Sequence, residues 1–317
     1  MKVLITGGFG YLGGRLGAYL STFNHDIYLA SRFSKKEPNI SNNINTIEID
    51  WTDYNSILDA CEDMDVVIHS AGMNASDCLN DPKKAFEVNG VFTGKLGEAA
   101  IAKKVSTFLY LSTAHIYSNN LNGLITEETE VTNSHPYGAS RFAGEEILIS
   151  QNKNKKSNMQ TIIVRLANTF GSPSDIDINC WNLVVNDLCK QAAIDRCLVI
   201  RGPSNTKRNF ITMTDFCSAI NFLLFICKLS EPTAIFNLGD KTKSIINIAN
   251  DIIKIYQSEK DLSLPIIELS ENKLINNDLE YSSNALIELG WKPDSNFNFE
   301  LTNLIRFCES NFNNSVK

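Results

Sequence analysis

Short apolar runs alternate with longer stretches whose apolar residues recur every three or four positions, and the alternation persists through the first half of the chain. The runs at 3–6, 26–31, 46–50, 66–71, 107–113 and 161–167 predict strands. Between them, 12–22, 53–61, 82–104 and 136–150 predict helices. Strand followed by helix, repeated, implies a parallel sheet covered on both faces. Right-handed crossovers then place a crevice at the carboxyl ends of the strands. After residue 168 the rhythm breaks. Gly171-Ser172-Pro173-Ser174 forms a turn cluster, followed by a helix over 181–193 and short strands over 198–200 and 210–212. Residues 234–238 read as one more core strand. The expected fold is α/β, a doubly wound parallel sheet with a smaller, discontinuous C-terminal lobe. The sheet domain takes 1–170 and 208–241, and the lobe takes 171–207 and 242–317.

Composition narrows the class. The 317 residues are 43% apolar and 21% charged, as in a soluble globular protein with a large core. A net charge of −7 supplies no basic excess for nucleic acid or an anionic membrane, so neither partner is expected. The eight cysteines include no C-x-x-C pair, which suits reduced thiols in a cytoplasmic protein. The histidines His25, His69 and His135 are dispersed, and no metal site is expected. The most apolar stretch, 216–229, contains Asn221 and is too short to span a bilayer, so it reads as a buried helix. A strand beginning at Lys2 leaves no place for a cleaved leader.

The chemistry begins at the first strand. It runs into Thr6-Gly7-Gly8-Phe9-Gly10-Tyr11-Leu12-Gly13 and then a helix. Gly7 suits a tight turn, Gly10 admits a pyrophosphate and Gly13 permits close helix packing. The free N–H groups of the helix start favour phosphate. This is the dinucleotide-binding pattern of a Rossmann sheet, with Gly7, Phe9, Gly10, Tyr11, Leu12 and Gly13 around the cofactor. A preference for NAD usually requires an acid at the end of the second strand. Here that strand ends in Ser31-Arg32, with Lys35 and Lys36 beyond. Arg32 can pair with a 2′-phosphate, which points to NADP ahead of NAD. Asp50-Trp51 closes the third strand, where Asp50 either meets the adenine amino group or caps a helix. Ala71 and Gly72 follow the fourth strand and are small enough for the cofactor to lie close.

Two further motifs complete a resemblance. Leu111-Ser112-Thr113-Ala114-His115-Ile116-Tyr117 closes the fifth strand, and Tyr137-Gly138-Ala139-Ser140-Arg141 opens the next helix. With the glycine turn, Val88-Asn89, Arg165-Leu166-Ala167-Asn168, Arg208-Asn209-Phe210-Ile211 and Leu289-Gly290-Trp291-Lys292-Pro293, the chain resembles the extended short-chain dehydrogenases/reductases, in their NAD(P)-dependent epimerase/dehydratase branch. The resemblance implies that Tyr137 is the general acid/base and that Thr113 holds the substrate oxygen. A tyrosine needs a nearby cation to act as a base at neutral pH. The family places a lysine four residues on, one helical turn away, where this chain carries Arg141. Arginine keeps the charge but presents a planar fork instead of a compact ammonium.

The resemblance also implies that Asn89 serves the cofactor and that Asn168, Asn182 and Arg208 contact a substrate diphosphate. On chemistry alone, Arg208 fits a salt bridge between lobes equally well. Ala114-His115 stands where 4,6-dehydratases of the family carry two acids, so dehydration is disfavoured. His115 is then either a substrate contact or a hydrogen-bonded structural imidazole. Relatives pair the helices over 82–104 and 136–150, which implies a homodimer with Phe86, Phe92, Ile147 and Leu148 as candidate contacts. The implied activity is an NADP(H)-dependent oxidoreductase of a nucleotide-diphosphate sugar, a C4 keto-sugar reductase in surface-glycan sugar biosynthesis. The alternatives are a nucleotide-sugar epimerase that retains its cofactor, and an NADP-binding sensor of low activity, which Arg141 motivates.

Overall fold

In a computed structural model that describes residues 1–33, 43–154, 158–225, 229, 231–269 and 277–312, the predicted strands form one sheet. They are β1 (Lys2–Thr6), β2 (Asp26–Ser31), β3 (Ile44–Glu48), β4 (Val66–His69), β5 (Thr107–Thr113), β7 (Gln160–Leu166) and β11 (Thr233–Leu238). Their order is β11-β7-β5-β4-β1-β2-β3, and every pairing from β7 to β3 is parallel. The order reverses at β1, which puts the crevice of a doubly wound sheet beyond the carboxyl ends of β1 and β4. The chain divides into two compact units, 1–120 with 127–166 and 220–237, and 121–126 with 167–219 and 238–317.

The first unit holds the large sheet. Its strands read as continuous apolar runs because both faces are covered, and all four residues of β4 are buried. On one face Leu4, Val67, Phe108 and Ile163 meet Ile57 of α2 (Tyr54–Ala60) and Leu96 of α5 (Phe92–Ala102). The turn after β1 leads into α1 (Tyr11–Leu20), and α6 (Pro136–Asn154) follows β5. The helix expected over 82–104 runs without interruption through α4 (Pro82–Phe86), a π turn at Glu87–Val91 and α5, and the short α3 (Ala75–Asn80) precedes it. The wider turn carries the fully buried Asn89, whose carbonyl accepts from Thr93 Oγ1 at 2.8 Å. Phe92 and Leu148 are also turned inward, at 8% and 2% exposure, so neither supplies a surface contact. Apolar character at those positions belongs to this unit's own packing.

The second unit is built from short strands and three amphipathic helices. β8 (Asn168–Phe170), β10 (Lys207–Thr212) and β12 (Lys241–Ser244) form one small sheet. β9 (Leu198–Ile200) pairs with β13 (Ile266–Glu268), and β6 (Gly123–Ile125) with β14 (Leu279–Tyr281). Helices α7 (Val184–Ile194), α9 (Ile245–Lys260) and α11 (Phe297–Phe312) enclose Leu188, Phe210, Ile248 and Leu304. A short α10 (Asn284–Glu288) precedes α11. The apolar stretch near 216–229 is helical as α8 (Met213–Phe225), while 226–228 lie outside the described residues. Among the described residues no helix is long and apolar enough to cross a membrane.

Candidate active site

The glycine turn is shaped by its neighbours. Gly7 has φ +67°, a conformation that side chains rarely adopt, and a Cβ there would meet the Ala71 nitrogen at 2.8 Å. A Cβ on Gly13 would strike the Gly7 carbonyl oxygen. Gly13 thus serves the turn itself. Gly10 donates its N–H to the Gly7 carbonyl at 2.8 Å and caps α1 without a side-chain hydrogen bond. The first turn of α1 also lacks an acidic residue. Such a helix start repels no anion and suits a pyrophosphate. Phe9, Tyr11 and Leu12 flank it half-buried.

The ends of the next strands surround this turn. β2 ends at the half-buried Ser31, followed by exposed Arg32, whose guanidinium lies 5.8 Å from the Phe33 ring centre. Lys35 and Lys36 lie outside the described residues. Asp50 accepts from Thr52 N–H at 2.8 Å and from its hydroxyl at 2.7 Å, and these bonds hold its carboxyl below the usual carboxylate range. The helix-capping role falls to Asp53, which accepts from Asn55 N–H at 2.9 Å. Trp51 stacks on Phe92 at 5.8 Å. Beyond β4, Ala71 donates to Thr6 Oγ1 at 3.3 Å, and the same threonine bonds the His69 ring at 2.6 Å.

The residues that the resemblance assigns to the reaction lie on β5 and α6. Thr113, 5% exposed, ends β5, and its hydroxyl accepts the His115 N–H at 3.2 Å. His115 sits in a single 3-10 turn, with its carbonyl bonded by Asn133. Its ring meets Tyr137 edge-on, with 6.3 Å between centres. Tyr137 opens α6. Its N–H donates to His135 Nδ1 at 3.2 Å and its carbonyl accepts from Ser140, while no described residue hydrogen-bonds its hydroxyl. Arg141 lies one turn along, buried, and donates to the Ala71 carbonyl at 3.2 Å and the Leu111 carbonyl at 3.4 Å. Its guanidinium stands 5.7 Å from the Tyr137 ring centre and 6.0 Å from that of Tyr110.

Behind these groups lies a buried polar frame. Asn89 accepts from Met73 N–H and donates to Ser140 Oγ, both at 2.9 Å, which ties the loop after β4 to the start of α6. Its side chain is spent within the protein. Glu145 takes three hydrogen bonds from Arg165 and one from Ser112, which links α6, β7 and β5. Burial works against the Arg165 charge, and Glu145 outweighs it, holding the guanidinium above its ordinary range. Sequence reading missed Ser140, Tyr110 and Glu145 here. Their spacing from Tyr137 and Thr113 was the available signal.

Asn168, Asn182 and Arg208 belong to the second unit. Asn168 donates to the Asn209 carbonyl at 2.9 Å and stands outside the pocket formed there. Asn182 and Arg208 line that pocket of about 280 Å³, with Asp187, Val199, Arg201 and Thr206. Arg201 pairs with Asp187 at 2.8 Å. No carboxylate among the described residues pairs with Arg208. The surrounding wall lowers its pKa, although the side chain reaches solvent, and no acid opposes that effect. Its cross-strand neighbour is Lys243, itself bonded to Asp251 at 2.6 Å. Among the described residues no cluster of histidine, cysteine or acidic side chains could hold a metal ion.

Comparison with known proteins gives the family and the fold. The low-salt glycan biosynthesis protein Agl12 of Haloferax volcanii is 24% identical, over 94% of this chain and 95% of that one. The structure of RMD from Pseudomonas aeruginosa complexed with NADPH superposes with a TM-score of 0.79 at 22% identity, covering 98% of each chain or more. A UDP-glucose 4-epimerase of Thermus thermophilus complexed with NAD gives 0.81 at 19% identity, over 98% of this chain and 100% of that one. Residues 3–239 match the model of the NAD dependent epimerase/dehydratase family. With the glycine turn, the β5 threonine and the α6 tyrosine in place, the chain is an enzyme of the extended short-chain dehydrogenase/reductase class and belongs to the NAD dependent epimerase/dehydratase family.

Proposed function

We propose that the protein is an NADP(H)-dependent oxidoreductase that reduces a nucleotide-diphosphate keto-sugar at C4 for glycan biosynthesis. The observation that carries the substrate class is Arg208, a guanidinium at a pocket with no carboxylate partner among the described residues. A cation at a pocket with no acidic partner among the described residues suits an anionic ligand, and a diphosphate supplies the charge. Asn182 adds an amide to the same pocket. Asn168 is assigned to the substrate on the family resemblance alone. The NADP assignment rests on Ser31-Arg32, where a carboxylate would repel a 2′-phosphate.

The dinucleotide, when bound, supplies the hydride. Gly7, Gly10 and the α1 N-terminus hold its pyrophosphate, and Ala71 and Gly72 border it. Thr113 orients the substrate oxygen, and Tyr137 gives that oxygen its proton through a hydroxyl that no described residue occupies. His115, edge-on to Tyr137, contacts the substrate rather than replacing the two acids of a dehydratase. The described cysteines are free thiols, all but Cys197 buried, which supports a cytoplasmic setting. We also assign a homodimer through α4, α5 and α6.

A second reading, epimerisation with retained cofactor, is supported by epimerases among the structural neighbours. One experiment separates them. The protein is freed of bound cofactor and incubated with NADPH and a panel of nucleotide-diphosphate sugars and their 4-keto forms. Stoichiometric NADPH oxidation supports the reductase. An isomerised sugar with no net cofactor change supports the epimerase. Tyr137→Phe should lose turnover by roughly a hundredfold or more with cofactor affinity kept. Binding of NADPH with no conversion of any sugar would leave only the sensor.

A further inference from the structure

Arg141 is 7% exposed, and no carboxylate pairs with it among the described residues. Glu145, one turn further along α6, is taken by Arg165. Two carbonyl contacts serve the Arg141 Nη1 group, and Nε has no hydrogen-bond partner. A buried, half-satisfied cation is costly to keep. The fold nonetheless makes room for it at one place. A Cβ built on Gly72 would overlap Arg141 Nη2 and lie 2.5 Å from its Cζ, with Asn89 Oδ1 at 2.7 Å. These contacts are far inside van der Waals distance, and two of the three involve the guanidinium.

We propose that Gly72 is a positioning residue for Tyr137: the side chain it lacks is the space that receives the Arg141 guanidinium, which is thereby held as a fixed cation beside the tyrosine ring. Of the two rings next to that cation, Tyr110 is fully buried and its hydroxyl faces the carbonyls of Asn89 and Arg141. Burial raises its pKa, so it stays protonated. Tyr137 is half-buried with its hydroxyl unengaged by described residues, and it is the ring whose phenolate can balance the charge. An arginine stays protonated at all working pH values, so this support does not titrate. Gly72 therefore does more than let a cofactor lie close. This assignment rests on the reading of Tyr137 as the proton carrier.

The test compares Gly72→Ala in two backgrounds, the natural protein and Arg141→Lys, whose slimmer ammonium leaves the Cβ position open. Each protein is melted, and its turnover is recorded against pH. In the Arg141 background, Gly72→Ala should lower Tm and move the rise of turnover with pH to higher pH. In the Arg141→Lys background both effects should shrink to half or less, the remainder belonging to Asn89. Equal effects in the two backgrounds, including failure to fold in both, would overturn the proposal. Folding only with lysine at 141 would support it. Full turnover by Tyr137→Phe would remove the proton-carrier role, while the coupling of 72 to 141 would still be visible in the melts.

Discussion

Arg32 and Arg141 are both arginines beside aromatic rings, yet their surroundings give them different work. Arg32 is exposed beyond β2 beside the Phe33 ring, and no carboxylate among the described residues pairs with it, so its charge is open to a ligand. Arg32→Asp removes a phosphate partner and adds repulsion. Titration calorimetry should show NADPH binding about tenfold or more tighter than NADH in the natural protein, with the order reversed in the variant. Equal affinities in both proteins would refute the NADP assignment. Both arginines were visible in the sequence. That Arg141 is folded inward against the Ala71 and Leu111 carbonyls was not, because those carbonyls come from the loop after β4 and from β5, far off in the chain. Asn89 was visible too, but its partners Met73 and Ser140 are again distant residues.

Three elements of the first unit are pinned together by His69. At the end of β4 its ring bonds Thr6 of β1 at 2.6 Å and Thr93 of α5 at 2.9 Å. Burial, and then the nearby Arg141 charge, push its pKa down to about 3. In the unfolded chain histidine titrates near 6.5. Between these values only the unfolded state takes up a proton. The contribution is therefore complete above about pH 6.5 and is lost as pH falls toward 3, with a slope of up to about 1.4 kcal/mol per unit. Urea unfolding at pH 7, 6, 5 and 4 should show His69→Gln with a shallower decline than the natural protein. Parallel declines would show that His69 carries no such linkage. Periodicity foretold β4 and α5 but not the π turn before α5, since a wide turn follows from where Asn89 must point. It also passed over α9 and α11, whose apolar faces take their meaning from Phe210 and Leu188 in the second unit.

At the scale of the molecule, the helices expected to pair leave Phe86 and Val91 at 43% and 50% exposure. Apolar side chains at that exposure on one helical stretch favour a self-complementary contact. Light scattering at micromolar concentration should return twice the 35.3 kDa chain mass. A monomer mass would refute the dimer. Local pattern determined the alternation of strand and helix, the glycine turn and the residues that close each strand, because these depend on neighbours within a few positions. Only the tertiary structure decided what those residues face. It spent Asn89 on the protein interior, drew Phe92 and Leu148 away from the surface, and packed the Arg141 guanidinium where Gly72 has no side chain. The physical reason is close packing, which sets each side chain's role by partners the chain brings from elsewhere.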